Sequence, residues 1–447
     1  MEMRKTIAQS KSQLHADSSS NTLPGYKWTE GRIIPEDWKI KSLGELCSYQ
    51  NGTSLERYFN NQEGYIVISI GNYSTEGNFV ETGNYIDRIH SKTLNKFILN
   101  KNDLTMILND KTSVGAIIGR VLLIEADNKY IFNQRTMRLT PKNQILPSFL
   151  YYQINCKRTH QDIVNKAKHG TQIYINTDDV IGLNVSLPAS KHEQRAIAEA
   201  LSDVDKLIEA LEKLIAKKRA IKKSAMQQLL TGKTRLPGFS GEWRSCTLGN
   251  LGSFSKGRGI KRNDVSDDGV ACVRYGELYT RYHDYIITPV SRISSLVAAT
   301  ALPIKTGDLL FAGSGETAEE IGRCAAYIGE EEAYAGGDIV VLSSTGQNSL
   351  YLSHLMNHET VVTQKARLGQ GDAVVHISSR NLAQVKIELP PIAEQDAIAT
   401  VLSDMDVELA ALERRREKTK QIKQGMMQEL LTGRIRLVKP SGEINHE

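Results

Sequence analysis

Side chains able to bind a polyanion, or to read the edges of bases, recur in two stretches of this 447-residue chain. Three turn-rich loops carry them in each stretch. The first loop holds Gln50, Asn51, Thr53 and Ser54, answered later by Lys256, Arg258, Lys261 and Arg262. The second holds Asn109, Lys111 and Thr112, answered by Ser314, Glu316 and Thr317. The third holds His169, Thr171, Gln172 and Tyr174, answered by Arg367, Gln370 and His376. Their chemistry is hydrogen bonding, not bond making. Lys and Arg donate to phosphate or guanine, Asn and Gln match the donor–acceptor pair of adenine, and Ser and Thr pair with either kind of edge. The competing reading of each residue is an ordinary turn that hydrogen-bonds to itself. Further candidates stand close by, among them Arg120, Gln134, Arg135, Lys166, Lys168, Asn176, Arg274, Arg281, Arg323 and Lys365.

Motifs for covalent chemistry are missing. Gly232-Lys233-Thr234 resembles the end of a phosphate-binding loop, but Gln227 stands where that loop needs glycine, and the later copy reads Thr432-Gly433-Arg434. The Gly313-Ser314-Gly315 turn follows a strand-like run, yet its earlier counterpart has no glycine there. There is no HExxH, no GxSxG and no [ND]PP[YFW] run. Five scattered cysteines without a CxxC pair argue against a zinc site or a disulfide framework and favour a reducing, cytoplasmic setting. With 40% hydrophobic and 24% charged residues, the composition is that of a globular chain. No run approaches the ~18 apolar residues of a membrane span. The expectation is a chain without catalytic residues or bound metal, one that positions something else.

What it is built from is visible as an internal repeat. Residues 193–236 (EQRAIAEALSDVDKL…LLTGKTRL) align without a gap on 394–437 (EQDAIATVLSDMDVE…LLTGRIRL). The regions before them repeat faintly. Trp38 pairs with Trp243, Gly52 with Gly257, Asp103-Leu104 with Asp308-Leu309, and Ile118-Gly119-Arg120 with Ile321-Gly322-Arg323. Each region ends in an apolar run and proline, up to Pro188 and Pro391. These regions read as mixed α/β, with strands in GYIVISIGN, VLLIEA and IYIN, and helix in SFLYYQINCKRTHQDIVNKA and SLYLSHLMNHETVVTQKA.

The repeated segment reads as a long helix. Ser190 to Glu193 forms a capping-box pattern, and Gly232 and Gly433 stand as stops. Ile197, Leu201, Val204, Ile208, Leu211 and Ile215 follow a four-three spacing, as do Ile398, Leu402, Met405, Leu409 and Leu412, which is a coiled-coil seam. Such a helix would span roughly 57 Å and cannot bury its seam alone. A turn through the intervening domain would pair the two copies antiparallel; pairing across a homodimer is the alternative. From Lys213 to Arg235 there are eight Lys/Arg and no acid, and from Arg414 to Arg436 eight against two. This repeated basic cluster reads as a contact for a polyanion or an acidic subunit.

Taken together, the chain resembles the specificity subunit of type I restriction-modification enzymes. The resemblance covers nearly everything after about residue 31. It rests on LPASKHEQRAIAEALSDVD and LPPIAEQDAIATVLSDMD opening the helices, on LLTGKTRL and LLTGRIRL closing them, on KHGTQIYINTDDVIGLNVSLP, and on Trp38 and Trp243 with their Leu-Gly pairs. The second copy departs at ARLGQGDAVVHIS, which reads as a turn about three residues longer and leaves either Gln370 or Asp372 opposite Gln172.

The resemblance implies an α+β chain with two mixed α/β target recognition domains separated by two long antiparallel coiled-coil helices in a pseudo-two-fold repeat. The boundaries expected are a flexible extension over 1–30, domains over 31–189 and 237–391, helices over 190–236 and 392–437, and a flexible tail over 438–447. It further implies that each domain binds half of an asymmetric bipartite site in double-stranded DNA, the half-sites lying about one helical turn apart. Two methyltransferase subunits would bring S-adenosylmethionine and methylate adenine, and two restriction subunits using Mg and ATP could join to cleave. This chain itself would bind no cofactor, meet no membrane and stay cytoplasmic. The reading of a different class is a non-catalytic coiled-coil scaffold with two protein-binding domains.

Overall fold

A computed structural model describes residues 24–60, 62–112, 114–170, 172–371 and 374–438. Most of the expected N-terminal extension and C-terminal tail, together with Thr171, lies outside the described residues. The fold is α+β and the repeat is plain in it. The boundary expected at residue 31 falls inside a hairpin, because Tyr26–Thr29 pairs antiparallel with Arg32–Pro35. Residues 1–210 and 415–447 make one compact unit, and 211–414 make the other.

In the first unit, short runs with buried apolar residues build an antiparallel sheet in the order Val121–Leu123, Leu104–Ile107, Thr136–Pro141, Cys47–Asn51. A second sheet sets Tyr130–Phe132 parallel to Tyr65–Ile68. The expected helix over 148–167 is two helices, α1 (Pro147–Asn155) and α2 (Lys157–Lys166), because Cys156 between them is extended and its Sγ caps α2 by accepting from Thr159 N. Asn184–Pro188 returns to pair with Trp38–Ser42, closing the domain, and the chain then enters helix α3 (Lys191–Leu229).

The second unit repeats this plan. Its main sheet runs Gly252–Lys256, Ile339–Ser344, Asp308–Ala312, Cys324–Tyr327, Tyr285–Ile286. Helices α4 (Ser349–Met356) and α5 (Glu359–Leu368) follow, Lys386–Leu389 pairs with Arg244–Thr247, and helix α6 (Ile392–Leu430) begins.

The same residues recur at the joints. Asp103 and Asp308, both buried, start their strands by accepting from Asn100 N and Lys305 N and from the hydroxyls of Thr140 and Ser343. Asn155 and Asn357 finish a sheet edge with a side-chain amide, bonding both main-chain groups of Val121 and of Cys324. The faint repeat therefore survives at positions whose buried polar groups must be satisfied.

Both long helices have 39 residues and end before Gly232 and Gly433, which adopt φ of 67° and 72°. The stops also face the repeated tryptophans: a side chain on Gly232 would touch the Trp243 ring, and one on Gly433 would collide with Pro35. The helices pair within the chain, and antiparallel. In the first unit Ile197 and Leu201 share a core with Leu430 and Leu431. In the second, Ile398 and Leu402 share one with Leu229 and Leu230. Leu211, Ile215 and Leu409 are buried, and Val204, Ile208, Met405 and Leu412 half-buried, as a seam requires.

Two expectations about these helices are corrected. Glu193 does not reach back in a capping box. Ser190 Oγ accepts from His192 N, but the Glu193 carboxylate, 1% exposed, is held by the Arg436 guanidinium, which also takes Asp37 at 2.8 and 3.0 Å. Glu394 is held in the same way by Arg235, through two bonds of 2.5 Å. Nor is the basic cluster simply presented outward. Antiparallel pairing lays basic C-terminal halves on acidic N-terminal halves: Lys423 meets Asp205 at 2.6 Å, Lys222 meets Asp406 at 2.5 Å, Lys218 meets Glu408 at 2.7 Å, and Arg219 meets Glu413.

Removing one partner of a buried pair strands a charge away from water. Arg436→Ala should therefore lower the melting temperature by roughly 5–10 °C. Lys206→Ala, which breaks a pair with Asp203 whose side chains are both 72% exposed, should leave it within about 1 °C. Differential scanning calorimetry of the two variants checks the contrast.

Candidate nucleic-acid interface

In each domain the same three main-chain hydrogen bonds gather the loops. Gly52 N donates to Thr136 O and Gly257 N to Ile339 O, both at 2.8 Å. Leu108 N donates to Arg135 O at 2.9 Å, and Gly313 N to Asp338 O at 2.6 Å. Ile175 N donates to Leu108 O at 3.0 Å, and Ile377 N to Gly313 O at 2.9 Å. All three expected loop regions thus meet at one end of each sheet. A fourth loop, Asn133–Arg135 in the first domain and Gly336–Asp338 in the second, joins them. Gln134 and Arg135, polar candidates in the sequence, lie on this loop, which no sequence pattern assigns to the site. Gly52 and Gly257 are obligatory for a steric reason: a Cβ there would lie 1.9 Å from Asn133 O or 2.0 Å from Gly336 O.

The second and third loops form a small ladder in each domain. Asn109 faces Tyr174 and Ser314 faces His376, with Ser314 Oγ 2.9 Å from His376 Nδ1. Lys168 bridges to Tyr174, and Gln370 to His376, by paired main-chain bonds. These ladders correct the expected three-residue insertion. Five residues separate the bridged positions in both domains, since α5 runs to Leu368 and absorbs the residues read as turn. Gln370 stands where the first domain has Lys168, and the place of Gln172 is taken by Val374, not by Gln370 or Asp372.

Several candidates spend their polar groups inside the loops. Gln50 Oε1 accepts from Arg138 at 2.5 Å, and Asn51 Nδ2 donates to Thr177 Oγ1 at 2.9 Å. Ser54, Asn133 and Gln134 all donate to Glu56; burial alone would raise that carboxyl, but these bonds outweigh it and hold the pKa down at about 2. Thr112 bonds Asp110 through N and Oγ1, and Lys261 N donates to Asp264. Thr53 pairs with Asn133 through a main-chain bridge. Asn109 and Gln172 are half-buried and Ser314 is buried. Lys111, His169, Tyr174, Lys256, Arg258, Lys261, Arg262, Glu316, Thr317, Arg367, Gln370 and His376 are exposed, so cationic and hydrogen-bonding side chains cover the loop end of both domains.

Two buried clusters lie elsewhere. Asp284, His354 and Asp406 bring potential ligand atoms within 4.8 Å of one another. The Lys222 ammonium, 2.5 Å from Asp406 and 3.5 Å from Asp284, already fills the cation's place. Lys365 is buried beside a cavity of about 320 Å³ lined by Tyr279, Arg281, His283 and Arg323, and its Nζ donates to Gly322 O at 2.5 Å. At the matching place in the first domain the residue packed on Gly119 is Ile163. Burial pushes the Lys365 ammonium down to about 8.

A duplicated domain-and-helix scaffold, with its loops gathered twice by the same bonds, is the class these features define. The pattern of the Type I restriction modification DNA specificity domain matches residues 35–220 and again 240–424, and the chain belongs to that family. It is 23% identical over 432 residues to the type I restriction enzyme MjaVIII specificity subunit of Methanocaldococcus jannaschii, covering 92% of this chain and 96% of that one. It is 25% identical to the putative MjaX specificity subunit of the same organism, covering 92% and 97%. The fold is shared with the S subunit of the Mycoplasma genitalium type I restriction-modification system at a TM-score of 0.59 and 16% identity, over 92% of this chain and 99% of that chain. A further chain, from a structure concerned with assembly and conformational transition of the type I system, matches at a TM-score of 0.53 and 16% identity, over 90% and 99%. No helix among the described residues is long and apolar enough to cross a membrane.

The buried lysine makes a pH-dependent prediction. An unfolded lysine keeps its proton to about 10.5, the folded Lys365 only to about 8. Between those values the unfolded chain binds more protons, so raising the pH stabilises the fold. Lys365→Met, which keeps volume and supplies the apolar character of Ile163, should raise the melting temperature at pH 7. The gain should shrink steadily as the pH climbs from 8 to 10 in paired thermal melts.

Proposed function

We propose that this chain is the DNA-recognition subunit of a type I restriction-modification complex, with each domain reading one half of an asymmetric bipartite site. The observation that carries this reading is the doubled loop platform: the same main-chain bonds hold it in both domains, while the side chains it presents differ. Two unlike readers call for two unlike half-sites. Lys and Arg that meet phosphate supply affinity without sequence information, and the loop side chains that reach base edges, of whatever charge, discriminate. The paired helices act as the spacer between half-sites. The work is done in a cytoplasmic complex and this chain carries no catalytic group. Two methyltransferase subunits bind S-adenosylmethionine and modify adenine where the reader places them, and two restriction subunits, using Mg and ATP, cleave unmodified DNA.

The test is methyladenine mapping in cells carrying this chain with its methyltransferase subunits. A two-part motif is expected. Exchanging residues 237–391 for the second domain of another family member should change one half of the motif and leave the other half and the spacing intact. Lengthening both helices by about one turn, roughly 5.4 Å, should keep both halves and change the spacing. Duplex binding should weaken with salt, with a log–log slope of several units. A motif in which both halves change on exchange of one domain, or a spacing indifferent to helix length, would sink the proposal.

A further inference from the structure

Arg135 and Asp338 occupy one structural position, and both sit in the left-handed backbone region, which glycine enters freely, aspartate less readily and arginine least readily. Each closes the turn leading into a central strand, Thr136–Pro141 or Ile339–Ser344. Each lends its carbonyl to the neighbouring strand's end, Leu108 N or Gly313 N. Their φ angles are 64° and 60°, in the left-handed region. Glycine takes up that conformation without steric cost, and Gly336 and Gly337 immediately precede Asp338. Yet at this point both domains carry a charged residue instead, with its side chain exposed to solvent among the gathered loops. Strain kept at an exposed, equivalent position in two diverged domains points to a use for the side chain.

The charges are opposite, and that identifies the use. A position serving phosphate would not hold an aspartate in either domain. A carboxylate at an interface with DNA needs a donor, and the donors that duplex DNA shows in the major groove are base amino groups. We infer that residues 135 and 338 are paired base-reading positions, an assignment that rests on the DNA-recognition reading above. Arg135 donates to O6 and N7 of a guanine in one half-site. Asp338 accepts from N4 of a cytosine in the other, since adenine sets the acceptor N7 beside its amino group and would repel the carboxylate.

The experiment is methyladenine mapping with the whole complex, comparing wild type with Arg135→Gln, Asp338→Asn, Arg135→Gly and Asp338→Gly, alongside thermal melts of each chain. The wild-type motif should contain a guanine in one half and a cytosine in the other. Arg135→Gln should cut discrimination at one guanine about tenfold or more and leave the other half untouched. Asp338→Asn should do the same at one cytosine of the opposite half. The glycine variants should melt no lower than wild type, because they relieve the left-handed strain, and should still lose the base preference. An unchanged motif, changes in both halves from one substitution, or an even loss of binding across all sequences would overturn the inference. A wild-type complex that yields no two-part motif would instead reject the recognition reading itself, and this assignment with it.

Discussion

A buried carboxylate at the start of each long helix must find a cation, and the cation is supplied from beyond the glycine stop of the other helix. Glu193 is met by Arg436 and Glu394 by Arg235. Left uncompensated, either carboxylate would oppose folding strongly, since a charge removed from water is stable only when paired and hydrogen-bonded. This requirement sets the helices antiparallel and fixes their register. It also explains the pattern of divergence. One chain must make the same lock twice, so EQ, LLTG and the following arginine recur almost unchanged at 193–236 and 394–437, while the domains were free to drift.

The residue beside each of these carboxylates attaches the domain. Gln194 Oε1 accepts from Leu146 N at the start of α1, and its amide donates to Pro188 O at the end of the closing strand. Gln395 repeats both bonds, with Asn348 N and Pro390 O. Adjacent positions on one helical turn thus do separate jobs, Glu tying helix to helix and Gln tying helix to domain. Trp38 and Trp243, pressed on the stop glycines, fix the far end of the same joint. An attachment of this kind ties each long helix to the start of its domain's first helix and to the end of its closing strand.

The helices, their seam, their stops and the doubled plan were legible because each writes a periodic or punctuated pattern into the sequence. The partner of the basic cluster was not. Cations in one segment and acids in another become an ion-pair ladder only once the antiparallel register is known, and a one-dimensional reading sees only an unbalanced charge. Glu193 misleads for a similar reason: Ser190-x-x-Glu193 satisfies the capping pattern, but a long-range guanidinium outcompetes the local amide for the carboxylate. In the third loop, ARLGQGDAVVHIS reads as a lengthened turn, and only the bridge between Gln370 and His376 shows that the spacing matches Lys168 and Tyr174. The fourth loop escaped because its signature is a dihedral angle. Gly, Asn or Asp is the usual sign of a left-handed residue; Arg135 gives no such sign, and Asp338 follows two glycines that could each have taken that conformation.

What the two domains share is therefore mostly main chain, and what they do not share is mostly side chain. The bonds that gather the loops run from N–H to C=O, groups that every residue but proline can supply. They exact identity only where no side chain fits, at Gly52 and Gly257. Buried contacts could diverge within that frame as well, as Ile163 and Lys365 do against equivalent glycines, where one domain buries a hydrocarbon and the other an amine. A scaffold specified this way tolerates almost any side chain on its loops. Faint repetition at the joints and unlike side chains at the loop end are then two consequences of a single design, in which the backbone holds position and the side chains are left to choose the ligand.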